Sequence, residues 1–190
     1  MNRTEQSGFT LLELMITVVV LGIVVAMAIP AFGDMFERQR INGAARDMYG
    51  FLLYARNEAI KKSTDIRVTI TQNEAGEWFV GMTDKAAACN PTLTAAADND
   101  ASCTINQDMA GTADLTLARM THADYPGVIL PGGATATLNF TFTSQGIVND
   151  SDGAPKSITL PTLTTERSGL EKELTVTVIG RVCFACAEES

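Results

Sequence analysis

The chain has 190 residues and a formal net charge of −8 at pH 7, from 14 basic and 22 acidic side chains. This length suits one globular domain with a short additional segment, rather than several domains. The acidic balance disfavours general binding to nucleic acid, because phosphate backbones are held mainly by clustered Lys and Arg.

An apolar stretch begins close to the N-terminus. Between Phe9 and Gly33 the only charged residue is Glu13. As a helix, residues 14–33 would be about 30 Å long, which is enough to cross the hydrocarbon core of a bilayer. A carboxylate near the end of such a span is costly without a partner, so we expect Glu13 to have a function. The alternative is an ordinary membrane anchor with an incidental Glu near the interface.

Beyond this stretch the helix is predicted to bend and then to change character. Pro30 removes one backbone hydrogen bond and crowds the preceding turn, so a kink or local melting is expected there. After Gly33, apolar residues recur at helical spacing, which predicts one buried helix face ending near Lys62. That face consists of Ile41, Ala44, Ala45, Met48, Leu52, Ala55 and Ala59. The charged residues expected on the other, exposed side are Arg38, Arg40, Arg46, Asp47, Arg56, Glu58, Lys61 and Lys62.

The remainder of the chain is predicted to be rich in β-strands. Ile66, Val68 and Ile70 alternate with polar residues, and a turn at 73–76 leads to a second strand at 78–82. Residues 83–112 show no periodicity and are expected to form a long loop. Further strands are predicted at 114–120, 127–130, 136–143, 156–160 and 173–184. The pattern therefore predicts an α+β fold, with a long helix packed on a head of about seven antiparallel strands.

Residues 8–13, Gly-Phe-Thr-Leu-Leu-Glu, together with Pro30, resemble the N-terminal signal of type IV pilins and type II secretion pseudopilins. The resemblance implies a leader of residues 1–8, cleavage by a prepilin peptidase between Gly8 and Phe9, and N-methylation of Phe9. It implies a transmembrane and assembly helix at 9–33, made flexible at Pro30. The periplasmic head would span 34–190, with an amphipathic helix at 34–62 and a β-rich part at 66–190. In a filament, Glu13 would pair with the terminal amine of a neighbouring subunit.

Three later segments narrow the resemblance. Residues 44–60, 140–146 and 175–182 are similar to segments of the GspH/FimT group, and the last includes Gly180 and Arg181. This similarity implies a type IV pilin-like fold and a minor pilin, a non-enzymatic structural subunit that helps to initiate assembly or to cap the pilus. The implied partners are other minor and major pilins, the prepilin peptidase and the inner-membrane assembly platform. The implied location is the inner membrane, as a single-pass protein, and then the assembled pilus or pseudopilus.

Two other functions stay open from the sequence. One is a pseudopilin of a type II secretion system. The other is a pilin for DNA uptake, because FimT-type pilins bind DNA through a C-terminal Gly-Arg-x-Arg. Gly180 and Arg181 match that motif, but Cys183 stands at the second Arg, and the acidic Glu188 and Glu189 follow. A separate basic patch for DNA would consist of Arg56, Lys61, Lys62 and Arg67.

The four cysteines are expected to form two disulfides, provided that the head is exported. Proximity in sequence favours Cys89–Cys103 and Cys183–Cys186 among the three connectivities. A redox C-x-x-C would open a helix, whereas residues 183–186 end a predicted strand, so a structural clip is favoured. A zinc site would need a second close pair of cysteines.

No catalytic residue, cofactor or metal ion is predicted. His122 is the only histidine, and in a loop beside Asp124 it is expected to be solvated rather than catalytic. Residues 98–100 and 150–153 resemble parts of calcium-binding loops. Neither has the full ligand spacing, so an Asp-Gly turn is the favoured interpretation.

Overall fold

The computed structural model describes residues 10–93, 101–106, 115–130 and 136–184, without the side chains of 27–32, 106 and 115–117. The predicted leader and cleavage site, Gly8 and Phe9, therefore lie outside the described residues. The chain divides into two compact units, Met1–Glu37 and Arg38–Ser190, the second of which is the head.

One helix, α1 (Leu11–Lys62), supplies residues to both units. It ends where the sequence predicted. Ser63 takes a left-handed backbone conformation with φ of 50°, and the Thr64 N–H donates to the Ala59 carbonyl at 3.1 Å. The helix continues through Pro30, so the local melting expected there does not occur. Proline removes only one hydrogen bond of the ladder, and the turns on either side remain helical.

The amphipathic pattern of α1 is confirmed. The seven apolar residues predicted to share one face are each at most 1% exposed, and they join the strands in one buried core cluster. The other side differs from the prediction at Lys62, whose side chain is 12% exposed, and at Glu58, which is only 7% exposed. Its carboxylate lies 3.4 Å from Lys61 Nζ and 3.3 Å from Lys62 Nζ. These ion pairs permit the burial, since an unpaired carboxylate would be costly there.

The described part of the head contains thirteen strands, more and shorter than the seven or so that the pattern predicted. All of their paired ladders are antiparallel, so the predicted α+β class with an antiparallel head is confirmed. In chain order the strands are β1 (Ile66–Gln72), β2 (Trp78–Thr83), β3 (Thr104–Asn106), β4 (Leu115–Leu117), β5 (Arg119–Thr121), β6 (Val128–Ile129), β7 (Ala136–Phe142), β8 (Val148–Asn149), β9 (Ile158–Thr159), β10 (Leu163–Thr165), β11 (Glu171–Lys172), β12 (Leu174–Val176) and β13 (Val182–Phe184).

The largest sheet has five strands in the order β5-β2-β1-β7-β8. Its centre contains the predicted hairpin of β1 and β2, in which Val68 pairs with Met82 and Ile70 with Val80. Smaller sheets have the orders β11-β10-β6, β13-β12-β9 and β3-β4. Alternating side chains of β1 and β7 fill the core, as the period-2 pattern requires. Those at most 2% exposed are Ile66, Val68, Ile70, Phe140 and Phe142.

Two segments that were each predicted as one strand, 173–184 and 114–120, contain two strands in the structure. Residues 173–184 form the hairpin β12–β13, since Gly180 adopts φ of 74° and donates its N–H to the Thr177 carbonyl at 2.8 Å. Residues 114–120 divide at Ala118, where the chain changes partner. Its N–H donates to the Cys103 carbonyl, and its carbonyl accepts from Met82.

Four short strands were also missed. Part of the stretch predicted as a loop, 83–112, forms β3, which pairs with β4. The strands β8, β10 and β11 have only two or three residues each. A period-2 pattern cannot be recognised over so few positions.

Residues 125–128 lie against α1 in the head, a contact that the sequence did not predict. The Tyr125 hydroxyl donates to the Asp47 carboxylate, and Arg40 Nη1 donates to the Pro126 carbonyl at 3.3 Å. The Tyr125 ring stacks on Trp78 with 6.0 Å between centroids, and Trp78 Nε1 donates to the Val128 carbonyl at 3.0 Å. Burial, together with the Asp47 hydrogen bond, raises the pKa of Tyr125.

Candidate functional site

The first turn of α1 contains the predicted assembly residue, Glu13. The Glu13 N–H donates to Thr10 Oγ1 at 3.2 Å, and the Leu14 N–H donates to the Thr10 carbonyl at 3.2 Å. Thr10 thus caps the helix, and a Glu three residues later has the spacing of a capping box. An acid in this turn is also favoured by the helix dipole. Glu13 is exposed in the isolated chain, and its proposed pairing with a neighbouring amine stays a prediction.

The large apolar side chains around and after Glu13 are exposed in the isolated chain. Twelve large apolar side chains between Leu11 and Val25 are 49% to 78% exposed. Among the described residues, no helix meets the length and hydropathy needed to cross a membrane. The predicted span, 9–33, includes Phe9, which is not described, and 27–32, whose side chains are not described.

Three segments that resembled one family in sequence meet at one corner of the head. Arg56 of α1 donates from Nε to the Gly146 carbonyl at 3.3 Å and from Nη2 to the Ile179 carbonyl at 2.9 Å. A Cβ on Gly180 would collide with the Gly146 carbonyl and lie 2.6 Å from Arg56 Nε. Both glycines have positive φ, 76° and 74°. The similar residues therefore form one structural contact between the helix and two turns.

The basic residues considered for DNA binding have other partners in the head. Arg56 binds the two carbonyls just described, and Lys61 and Lys62 pair with Glu58. Arg67 donates from Nε to the Lys85 carbonyl at 3.2 Å. Arg181 is exposed after the β12–β13 turn, whereas Glu188 and Glu189 lie outside the described residues. Each of the four residues thus has a partner in the head, and a role for them in DNA binding stays a prediction.

The Cys89–Cys103 disulfide predicted from the sequence is present, with both cysteines at most 5% exposed. It lies against β2 at Gly81. A Cβ there would collide with Cys103 Sγ and lie 2.9 Å from Pro91 Cβ, so glycine is needed for this close approach. Cys183 is also disulfide-bonded. Its predicted partner, Cys186, lies outside the described residues.

The remaining candidates form local contacts. His122 Nε2 lies 3.3 Å from Glu77 Oε1, and the imidazole meets Phe79 edge-on at 5.6 Å. The prediction that His122 is simply solvated was therefore wrong, because the imidazole is paired and partly buried. The Asp150 carboxylate accepts the N–H groups of Asp152 and Ala154, which makes 150–153 the favoured Asp-Gly turn. Residues 98–100 lie outside the described residues. The described residues contain no group of three or more potential metal ligands.

Two sequence families match the chain. The prokaryotic N-terminal methylation motif matches residues 3–29, and the family described as type II transport protein GspH matches residues 44–180. The second match covers more than half of the chain, and it includes Arg56, Gly146 and Gly180.

Relatives with similar sequences include fimbrial proteins and a type II secretion system core protein. A fimbrial protein of Pseudomonas aeruginosa is 30% identical over 127 residues, which cover 66% of this chain and 77% of the relative. The type IV major fimbrial protein FimA of Dichelobacter nodosus is 32% identical over 114 residues, covering 57% and 66%. Among solved structures, the type IV minor pilin FimU of Pseudomonas aeruginosa aligns over 79% of this chain and 91% of that chain. The identity is 15% and the TM-score 0.46.

Proposed function

The chain belongs to the GspH family and carries the prokaryotic N-terminal methylation motif, and from this premise we propose that it is a minor subunit of a type IV pilus. The family is structural rather than enzymatic. The proposal assigns the chain a place in a filament, where it helps to initiate assembly or to cap the fibre. The partners would be other minor and major pilins, the prepilin peptidase and the inner-membrane assembly platform.

The observation that carries the proposal is the exposed apolar surface between Leu11 and Val25. Apolar surface left in water is unfavourable by about 25 cal/mol per Å². The head, by contrast, buries its own apolar residues in one core cluster. A filament subunit needs this division: its head folds alone, while its N-terminal helix is covered first by lipid and then by neighbouring subunits. The inner membrane, crossed once with the head in the periplasm, is the location that this role requires.

Glu13 would determine the register of that helix against its neighbours. After cleavage between Gly8 and Phe9, the methylated amine of Phe9 would lie at the start of each subunit. A carboxylate and an ammonium group are each costly in an apolar medium, and they become tolerable as a pair. The exposed position of Glu13 in the first helical turn leaves it accessible for this contact.

The variant Glu13→Ala tests the proposal in cells that make the native protein. We expect the variant to be cleaved and its head to fold, but to be missing from pili sheared off the cell surface. Glu74→Ala, which removes an exposed acid from a turn of the head, serves as the matched control and should be incorporated normally. Incorporation of both variants at the wild-type level would contradict the role of Glu13.

A pseudopilin of a type II secretion system is the second candidate, and the name of the matching family, type II transport protein GspH, favours it. The two functions share the same fold and the same N-terminal processing, so the structure of one chain does not separate them. A deletion strain does. Loss of twitching motility with intact secretion supports the pilus subunit, whereas loss of secretion with intact twitching supports the pseudopilin.

A further inference from the structure

Four tight turns in the head share one geometry. In each, the first residue accepts a hydrogen bond from a glycine three positions later, and its own N–H donates to the residue after that glycine. The glycines have φ between 74° and 82°, so the four backbones follow the same path. The turns span residues 73–76, 143–146, 150–153 and 177–180.

The four turns differ in their two central residues. Three centres are polar or small: Glu74-Ala75, Ser144-Gln145 and Ser151-Asp152. The fourth centre is Val178-Ile179. Because the backbone geometry is shared, the turn itself does not require apolar residues. Turn centres normally favour residues such as Asn, Asp, Ser and Gly, so two β-branched residues here need another reason.

The two central residues differ in exposure and in their contacts. The Val178 carbonyl accepts from the Val148 N–H at 2.8 Å, and its N–H donates to Ser157 Oγ at 3.3 Å, with the side chain half-buried. Ile179 is 67% exposed, which is the highest value among the large apolar side chains described in the head. A single exposed apolar residue is ordinary, but this one is held in a fixed position.

The position of Ile179 is fixed by the corner around Arg56. Arg56 Nη2 binds the Ile179 carbonyl, and Gly180 packs directly against Gly146. Ile60, 46% exposed, flanks the same corner, since a Cβ on Gly146 would lie 2.9 Å from Ile60 Cδ1. Two exposed isoleucines are thus presented on a rigid base, which lowers the entropy cost of docking a partner.

Basic groups adjoin the two isoleucines. Arg181, which is exposed, follows the turn, and Lys61, with a side chain 63% exposed, follows Ile60 in α1. Lys61 shares the buried Glu58 carboxylate with Lys62, and its side chain nevertheless stays mostly exposed. Ile60, Lys61, Ile179 and Arg181 form the Ile179 patch, an apolar centre with a basic rim on a chain of net charge −8. Such a rim complements an acidic surface.

We propose that the Ile179 patch docks a neighbouring pilin-like subunit through an acidic surface with an apolar centre. This chain, with its net charge of −8, is itself an example of an acidic subunit. This inference rests on the proposed function. A protein partner fits better than nucleic acid, because two aliphatic side chains suit the core of a protein interface, whereas single strands bind by stacking on aromatic rings.

Photo-crosslinking in cells that make the full chain tests the inference. A photoreactive phenylalanine analogue replaces Ile179, and the control replaces Asp152, an exposed central residue of a matched turn. We expect an adduct at position 179 that mass spectrometry identifies as this chain joined to an acidic pilin-like subunit, and no such adduct at 152. An adduct with nucleic acid, or equal adducts at both positions, would overturn the inference.

Point variants separate this inference from the proposed function. Ile179→Asn places a turn-favouring residue at the tip, so the head should keep its unfolding midpoint, and Arg181→Glu reverses one rim charge. In each variant we expect a loss of the adduct formed by a photoreactive analogue at Ile60, while cleavage after Gly8 continues. If the adduct persists in both variants, the patch is not the docking site. If the wild-type chain itself is absent from the pilus and the pseudopilus, the proposed function fails instead.

Discussion

The two halves of α1 differ in how far their apolar side chains are exposed. From Leu11 to Val25 the large apolar residues are 49% to 78% exposed, whereas the seven residues of the later stripe are at most 1% exposed. Both halves are helical, and both are rich in apolar residues. The second half therefore completes its packing within the head, and the proposed function assigns the cover of the first half to lipid and neighbouring subunits. That division is what a filament subunit requires.

Truncation of Leu52 should produce the largest change in the head. Leu52 is fully buried, so Leu52→Ala is expected to lower the free energy of unfolding by about 2–5 kcal/mol. Leu21→Ala makes the same change at a side chain that is 63% exposed, and it should change the free energy of unfolding by less than about 0.5 kcal/mol. Denaturant unfolding of the full chain in detergent, followed by the fluorescence of the buried Trp78, measures both. Equal losses would remove the contrast between the two halves.

Loss of the Cys89–Cys103 disulfide should destabilise the head somewhat less. The bond closes a loop with a sequence separation of 14, for which the chain-entropy estimate is about 3 kcal/mol. We expect the double variant Cys89→Ser, Cys103→Ser to unfold at lower denaturant, with the helicity of the N-terminal half retained. Circular dichroism and Trp78 fluorescence report the two effects separately. An unchanged midpoint would mean that the bond is not structural.

Gly180 and Gly153 have similar backbone conformations but different surroundings, so alanine at each position tests the packing within the head. Gly180 and Gly153 have φ of 74° and 82°, so alanine is strained at either, by about 1–2 kcal/mol. A Cβ on Gly153 meets nothing within 4 Å, whereas a Cβ on Gly180 meets Arg56 and Gly146. Gly180→Ala should therefore lose about 1–3 kcal/mol more than Gly153→Ala. Equal losses in unfolding free energy would show that the Arg56 corner is loosely packed.

The smallest expected effect is a dependence on high pH. The pKa of Tyr125 is raised above its ordinary value of 10.0 by burial and by Asp47, so the folded head keeps a proton that the unfolded chain releases. Its stabilising contribution is complete below pH 10 and is lost as the pH rises above it. Tyr54 also has a raised pKa, mainly from burial. Above pH 10, Tyr125→Phe should lose stability less steeply than the wild type in denaturant titrations; parallel curves would exclude a contribution from Tyr125.

The sequence predicted features that repeat along the chain and missed contacts between distant residues. The stripe from Ile41 to Ala59 and the alternation in β1 follow from helix and strand periods, and both are confirmed. The β12–β13 hairpin was missed because the apolar alternation runs on through the turn, and only Gly180 marks the reversal. The segments that contain Arg56, Gly146 and Gly180 were noted as similar to one family. Their contact was missed because the hydrogen bonds of Arg56 reach residues 90 and 123 positions away, which no local pattern encodes.

The docking of Tyr125 on Asp47 was missed for the same reason, because it joins residues 78 positions apart. Glu58 is different: its partners Lys61 and Lys62 lie three and four positions later on the same helix, a spacing that was visible in the sequence and was not used. The Ile179 patch carries a sequence signal that was overlooked. Among the four turns ending in glycine, only the one at 177–180 has two β-branched residues at its centre.

The central claim is that the exposed N-terminal half of α1 is the assembly helix of a processed filament subunit. Intact-mass and N-terminal peptide mass spectrometry of the protein purified from its native membranes tests it most directly. The account predicts a chain that begins at Phe9 with a methylated amine. A chain that still carries residues 1–8 would contradict it.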